Sequence, residues 1–354
     1  MTLPDFTYVG HPVTVVFGRG ASRAVGEWIE RIGCRRALVL STPQQAADAE
    51  AMAASLGDRG AGVFAGAAMH TPVAVTEQAL VRLRESGADC LVALGGGSTT
   101  GLGKAIALRT DLPQIVIPTT YAGSEVTDIL GQTEGGTKTT LRDPRVRPEV
   151  VIYDPDLTFG LPVAMSVTSG LNAMAHAAEA LYARDRNPIS TLMAVEGLRA
   201  MRQALPVITG SPSDAEARTS ALYGAWLCGT VLGTVGMALH HKICHTLGGT
   251  FDTPHAETHA IMLPYSIAYN AGAVPDLLAP IADIFGAPAG VGLWDFARMV
   301  DAPASLRELG LSAADLDRAA EIATANPYWN PRPVERDAIG AMLHAAWRGD
   351  RPQD

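Results

Sequence analysis

Residues 91–108 read LVALGGGSTTGLGKAIAL. An apolar run of strand length ends in three glycines, and a helical composition begins at once behind them. Glycines let a backbone approach a ligand closely, and the first turn of a helix offers unpaired N–H groups at the positive end of its dipole. Strand, glycine turn and helix are therefore the elements of a phosphate-binding turn. The pattern is neither G-x-G-x-x-G nor a P-loop, so by itself it also suits a turn that only packs helix on strand. Gly95, Gly96, Gly97, Ser98 and Thr99 are the candidate phosphate contacts. Lys104, about one and a half turns into the helix, either orients a cofactor or packs its stem.

Working outward, the same alternation recurs. VTVVFG (13–18), RALVLST (36–42), GVFAG (62–66), DCLVALGGG (89–97) and QIVIPTT (114–120) read as strands, with helical stretches between them. Alternating βα units imply a parallel sheet covered on both faces. A second loop, IPTTYAGSE (117–125), also follows a strand, and its Thr119, Thr120 and Ser124 add hydroxyls at the same end of the sheet. Two such loops favour a dinucleotide over a simple packing turn. Phe17–Gly18 after the first strand are expected to flank the bound dinucleotide. Ser41 and Thr42 follow the second strand, where many dinucleotide folds place an acid on the ribose; with no acid in LSTP, a ribose 2′-phosphate is as admissible as a free hydroxyl. Residues 121–153 read as an irregular hairpin region closing this domain.

From about Pro162 the chain reads as helical throughout. The boundary is set near residue 160, giving a nucleotide-binding domain over 1–160 and an α-helical domain over 161–354. Thr219–Leu239 carries no charge and is long enough for a bilayer. Gly224, Gly229, Gly233 and Gly236 interrupt it and it runs into polar histidines, so a buried helix is expected.

Five of nine histidines lie between 238 and 260, in ALHHKICHTLGGTFDTPHAETHA. His241 and His245 are four apart on one helix face, as are Asn172 and His176 in GLNAMAHAAEA. With His255 opening a further helix, His176, His241 and His255 can converge. His240 falls about 100° from His241 around a helix and is expected to point elsewhere. His259 is read as a hydrogen-bonded or partly exposed residue, and the lone His11 and His344 receive no role.

The chain carries net charge −9 with 27 Lys+Arg against 36 Asp+Glu, and no basic cluster. Nucleic acid and anionic membrane are poor partners for it. Its four cysteines form no CxxC pair and are expected as buried free thiols. The N-terminal stretch MTLPDFTYVGHPVTVVFG lacks the basic and apolar regions of a signal peptide, and a cytoplasmic location follows.

GGGS…K (95–104), IPTT…GSE (117–125), DP (154–155), GLNAxxHAxEA (170–180) and HxxxHxLGGxxxxPH (241–255) occur in the order and spacing of one family. Along nearly its whole length the chain resembles the iron-containing alcohol dehydrogenases. The resemblance implies an α/β, Rossmann-like N-terminal domain, an all-α C-terminal domain of the dehydroquinate synthase-like kind, an active site between them and a homodimer. Three departures stand out. Asn172 replaces the family's usual aspartate metal ligand, Gly101 replaces the aspartate of GGGSxxDxxK, and Tyr121 enters the TAGTGSE-like loop. Together with TLRDPRVRPEVVIYDP and NPYWNPRPV (326–334), they resemble the branch that reduces the C=C bond of maleylacetate to 3-oxoadipate in aromatic catabolism. That branch uses NADH or NADPH and requires no metal.

An amide at 172 removes a charge and a hard ligand, which weakens a metal site and suits a dicarboxylate substrate. The expected catalytic set is His241, His245 and His255 hydrogen-bonding the enolate and carboxylates, with His176 and Asn172 completing the polar wall. The resemblance puts His245 nearest the nicotinamide, which makes it the expected proton donor. Tyr121, Arg142 and Arg145 are weaker carboxylate candidates. The rival reading is a metal-dependent alcohol or polyol dehydrogenase of the same fold. A non-catalytic nucleotide sensor and a non-redox lyase on the dehydroquinate synthase-like fold lie further off.

Overall fold

The computed structural model describes residues 6–10 and 13–354; His11 lies outside them. The chain divides after Leu161 into two compact units, and residues 6–10 group with the second, helical unit rather than with the α/β unit to which the sequence reading gave them.

In the α/β unit six strands pair in parallel: β1 (Thr14–Phe17), β2 (Ala37–Leu40), β3 (Gly60–Phe64), β4 (Cys90–Gly95), β5 (Gln114–Pro118) and β8 (Val150–Tyr153), in the order β1-β8-β5-β4-β2-β3. β6 (Ile129–Glu134) and β7 (Thr137–Arg142) form an antiparallel hairpin of their own. The 121–153 region is thus more regular than its Gly, Thr and Pro content suggests. It holds a register-matched hairpin and a strand that joins the main sheet beside β5.

Helices α1 (Val25–Arg31), α2 (Ala46–Ser55), α3 (Val73–Ser86) and α4 (Gly97–Thr110) connect the strands. The period-2 alternation of the strands separates two cores. Val39, Val92, Leu94 and Ile115 pack with Ile29 and Ala49 of α1 and α2. Leu38, Leu40 and Leu91 pack with Leu80, Leu83, Leu102 and Ile106 of α3 and α4. The connection leaving β2 therefore covers one face and that leaving β4 the other, while the two strands are neighbours. Their carboxyl ends form a topological switch point, where open α/β sheets bind ligands.

The helical unit comprises α5 (Val163–Tyr182), α6 (Pro188–Gly210), α7 (Ala215–Thr234), α8 (Leu239–Phe251), α9 (His255–Ala271), α10 (Pro275–Phe285), α11 (Ala289–Met299), α12 (Ala313–Ala325) and α13 (Arg336–Arg348). Every residue of α5 from Ser166 to Tyr182 is buried. This helix is the axis of the unit, and its small residues let α6, α7 and α9 close around it. No residue from 217 to 235 is exposed, so α7 is the buried helix its composition requires. The stretch Pro275–Met299 is also apolar enough for a bilayer. It breaks at Gly286 (φ 69°) into two helices of 11 residues, each too short to span one.

Candidate functional site

In the α/β unit the glycine turn lies at the switch point. Gly95 has φ 152°, and a Cβ there would fall 2.4 Å from the Thr99 hydroxyl; one on Gly96 would fall 2.7 Å from Thr120 Cγ2. Only glycines let the β4–α4 turn and the β5 loop close to this distance. Gly96 caps α4 without a side-chain bond; the Thr99 and Thr100 amides donate to Gly96 O, which leaves those of Gly97 and Ser98 for an anion. Thr99 Oγ1 and Ser41 Oγ are buried beside this turn with no partner. Gln45 donates to Thr119 Oγ1 at 3.1 Å, and the Thr119 amide donates to Gly95 O, which ties the two loops together. This cradle of glycines, unpaired amides and orphan hydroxyls fits the pyrophosphate of a dinucleotide.

Phe17, 37% exposed, and Gly18 lie at the end of β1. The turn behind them is held by Asp154, whose carboxylate accepts from Gly20 N, Ser22 N and Ser22 Oγ. Thr42 and Ser124 are half-buried and Tyr121 is fully buried.

Lys104 departs from expectation. Its ammonium is 1% exposed and donates to Ser124 O (2.6 Å), Thr127 O (2.9 Å), Thr127 Oγ1 (2.9 Å) and Ile129 O (2.8 Å). Three protons serve four acceptors, and none is left to orient a cofactor. Lys104 is a clamp on the segment between the second loop and the hairpin. Burial lowers its pKa to about 7 against the opposing pull of Glu125 and Asp128. Glu125, whose carboxyl burial pushes up, accepts from Tyr153 at 2.9 Å. Arg142 and Arg145 are spent on Asp128 and Asp143, so neither is the carboxylate ligand considered from sequence. At Gly101 a Cβ would come 2.3 Å from Thr71 Oγ1. Thr71, with φ 47°, occupies the space that an acidic side chain needs at this position.

In the helical unit the histidines form one cluster on α5, α8 and α9. His176 stacks on His241 with ring centroids 5.2 Å apart. His245 lies 5.9 Å from His241, and His255 lies 4.3 Å from His259. Asn172 is buried one turn before His176. His240 does not point elsewhere: its Nε2 meets His259 Nδ1 at 2.9 Å, its Nδ1 meets Ser266 Oγ at 3.3 Å, and its ring lies 5.4 Å from His241. It forms the back wall of the cluster. His259 is hydrogen-bonded, as read from sequence, but lies within the cluster and fully buried.

The sequence reading missed Glu179, the anchor of this arrangement. Buried at the α5–α8 contact, it accepts from His241 Nδ1 (2.6 Å), His240 N (2.7 Å), Ala238 N (3.1 Å) and Tyr182 OH (3.3 Å). Burial pushes its carboxyl up. The bond from His241, the attraction of its ring and the backbone bonds outweigh that and bring it to about 2, so it is ionised. The bond to His241 Nδ1 turns Nε2, buried and unpartnered, toward the cluster. Its spacing was readable: 172, 176 and 179 fall on one helix face. Burial first, then mutual repulsion, holds His176, His240 and His259 low and therefore neutral at neutral pH.

The donor set lacks the aspartate ligand expected of the family's metal site. Position 172 offers an amide, and the one carboxylate of the cluster is committed to His241 and two backbone amides. The close group in this region, with ligand atoms within 4.8 Å of one another, is His240, Cys244 and His259. There the two imidazoles already bond each other, and burial holds the Cys244 thiol protonated. All four cysteines are free and buried.

Comparison with known proteins matches residues 12–155 to the family model described as iron-containing alcohol dehydrogenase, and residues 166–347 to its Fe-containing alcohol dehydrogenase C-terminal counterpart. Over 351 residues the chain is 68% identical to a maleylacetate reductase of Rhizobium sp. (strain MTP-10005), covering 99% of this chain and 100% of the relative. It is 55% identical to the maleylacetate reductase of Burkholderia cepacia, over 96% of each. The crystal structure of the maleylacetate reductase from Agrobacterium tumefaciens matches with TM-score 0.96 at 66% identity, covering 99% of this chain and 100% of that one.

Proposed function

We propose a specific reaction for this chain, which belongs to the iron-containing alcohol dehydrogenase family: the NAD(P)H-dependent reduction of the C=C bond of maleylacetate to 3-oxoadipate. The observation that carries the reading is the charge placement in the histidine cluster. The family's acid is an amide at 172, and the remaining carboxylate, Glu179, faces His241 from behind. A dianionic substrate then meets imidazoles rather than a carboxylate.

The reaction needs a hydride at the alkene carbon β to the ketone, charge relief on the resulting enolate oxygen, and a proton at the α carbon. The reduced nicotinamide supplies the hydride. With Nδ1–H held by Glu179, His241 donates from Nε2 to the enolate or an adjacent carboxylate as the doubly protonated ring, a form the carboxylate behind it stabilises, and a fixed donor there lowers the barrier more than water does. His255 serves beside it, His176 and Asn172 complete the wall, and His245, half-buried at the edge of the cluster, delivers the proton. Tyr121 is a lesser candidate for substrate contact. Gly95–Thr99, Thr119, Thr120, Ser124, Ser41 and Thr42 hold the dinucleotide, with Phe17 and Gly18 beside its nicotinamide.

The donor set supports turnover without a required metal. The absence of an acid at 41–42 admits NADPH as well as NADH. We further propose a cytoplasmic homodimer with no nucleic-acid or membrane partner. The test is NADH oxidation by chelator-treated, metal-assayed protein with freshly generated maleylacetate, beside a panel of simple aldehydes and ketones. Metal-free turnover of maleylacetate supports the reading. Activity confined to simple carbonyls and restored by iron or zinc overturns it in favour of an alcohol dehydrogenase.

A further inference from the structure

The NPYWNPRPV loop (326–334) and the lysine inside HKICH (241–245) lie outside the catalytic set and the dinucleotide cradle. The chain has three lysines in 354 residues. Lys104 is the loop clamp, Lys138 lies in the β7 hairpin strand, and Lys242 alone belongs to the helical unit.

The loop is strapped down by the last turn of α9, whose first two turns carry His255 and His259. Tyr269 OH donates to Pro333 O at 2.6 Å. Asn270 and Asn330 exchange side-chain bonds at 3.0 and 2.7 Å. Arg332 donates to Tyr269 O at 2.9 Å and stacks on its ring at 4.1 Å. So held, the loop sets the Tyr328 hydroxyl 3.3 Å from His245 Nδ1. Lys242 is three residues before His245 on α8 and shares its face, and its ammonium lies 5.6 Å from the centroid of the Tyr328 ring. No carboxylate pairs with Lys242 among the described residues. Tyr328 is 40% exposed, so the group is open to a ligand. An unneutralised cation, a phenol and an imidazole meeting at an accessible rim form a carboxylate grip, and the strapping removes much of the entropy cost of ordering it.

We infer that Lys242 binds one carboxylate of the dicarboxylate substrate at the rim of the cluster, and that Tyr328 completes this grip while positioning His245. The inference rests on the maleylacetate reading. Charge on the substrate is present in both ground and transition states, so the grip acts mainly on binding.

The experiment compares the full-length parent with Lys242→Met, Lys242→Arg and Tyr328→Phe. It reads KM and kcat for maleylacetate, NADH affinity, melting temperature, and calorimetric binding of 3-oxoadipate, the dicarboxylate product. Lys242→Met is expected to raise KM and weaken 3-oxoadipate about tenfold to a hundredfold. Its kcat should stay within about threefold of the parent, with NADH affinity and melting temperature unchanged and part of the loss recovered in Lys242→Arg. Tyr328→Phe is expected to lower kcat more than Lys242→Met does, through His245. A parent that turns over maleylacetate while Lys242→Met keeps its KM and its 3-oxoadipate affinity overturns the grip and leaves the function standing. A parent that neither reduces maleylacetate nor binds 3-oxoadipate overturns both.

Discussion

Replacing Lys104 with methionine tests whether this lysine is a buried clamp or a cofactor ligand. Its ammonium is enclosed and bonded to Ser124, Thr127 and Ile129, and burial brings its pKa from 10.5 to about 7. A base whose folded pKa lies below its unfolded one contributes stability that is fully present above pH 10.5 and is lost as the pH falls toward 7. Between pH 9 and pH 7 the unfolded lysine is charged throughout, whereas the folded one takes up its proton only near the lower end. Each pH unit costs about 1.4 kcal/mol until the folded group titrates. Over this interval the parent should therefore lose roughly 2 kcal/mol that the methionine variant does not lose. The absolute stability of the variant at one pH is not diagnostic, because losing a buried charge helps and orphaning its carbonyl acceptors costs about 1–3 kcal/mol each. The difference in pH dependence is diagnostic, since the raised thiol and phenol groups elsewhere are common to both proteins. The assay is urea unfolding of parent and variant at pH 7, 8 and 9. The variant should also show a several-fold higher KM for NADH, because the segment after Thr119–Ser124 has lost its clamp. Parallel stability curves, agreeing within about 0.5 kcal/mol across the range, would refute the reasoning.

Gly96→Ala should weaken NADH binding at least tenfold, because the new methyl would sit 2.7 Å from Thr120 Cγ2; Thr120→Gly in the same chain should restore part of it, and titration of NADH fluorescence decides. His245→Asn should lower kcat for maleylacetate by about 10²–10⁴ with NADH affinity unchanged, and an unaltered kcat would remove His245 from the chemistry. Asn172→Asp restores a carboxylate beside His176, so the dialysed variant should retain zinc or iron that the dialysed parent releases, while its maleylacetate turnover falls. Equal metal content in the two proteins would show that residue 172 does not decide metal binding.

The α/β unit was legible because its signals are local. A strand such as Cys90–Gly95 alternates between two cores, a glycine run marks the turn behind it, and the helix follows at once. The 121–153 region read as a hairpin, but its strand bounds and the pairing of β8 were not legible. Polar strands such as Thr137–Arg142, mostly exposed, bury too little to mark their ends, and nothing local to β8 indicates which neighbour it pairs with. Lys104 illustrates a second limit: sequence spacing places a residue on a helix but does not say whether its ammonium faces the ligand or the loop beneath.

The histidine cluster divides along the same line. The i, i+4 pairs 172/176 and 241/245 were recoverable because they share one helix. His240 and His259, on different helices, complete each other only after α8 and α9 have packed, and a helical wheel of α8 alone sends His240 away from the site. Glu179 matters most, since it changes how the substitution at 172 is understood. Losing the family's aspartate does not strip the cluster of negative charge. One ionised carboxylate remains, Glu179, seven residues further along α5 and behind His241, where three further donors stabilise it. From there it fixes the direction of an imidazole without presenting its own charge to the ligand. A carboxylate in the pocket would repel a dianion, whereas one behind a histidine stabilises the doubly protonated ring, whose Nε2–H can donate in front. With the lone lysine of the helical unit at the rim, the field along α8 runs from negative at the buried helix start to positive at the open side. An anionic substrate needs that polarity in a chain whose net charge is −9.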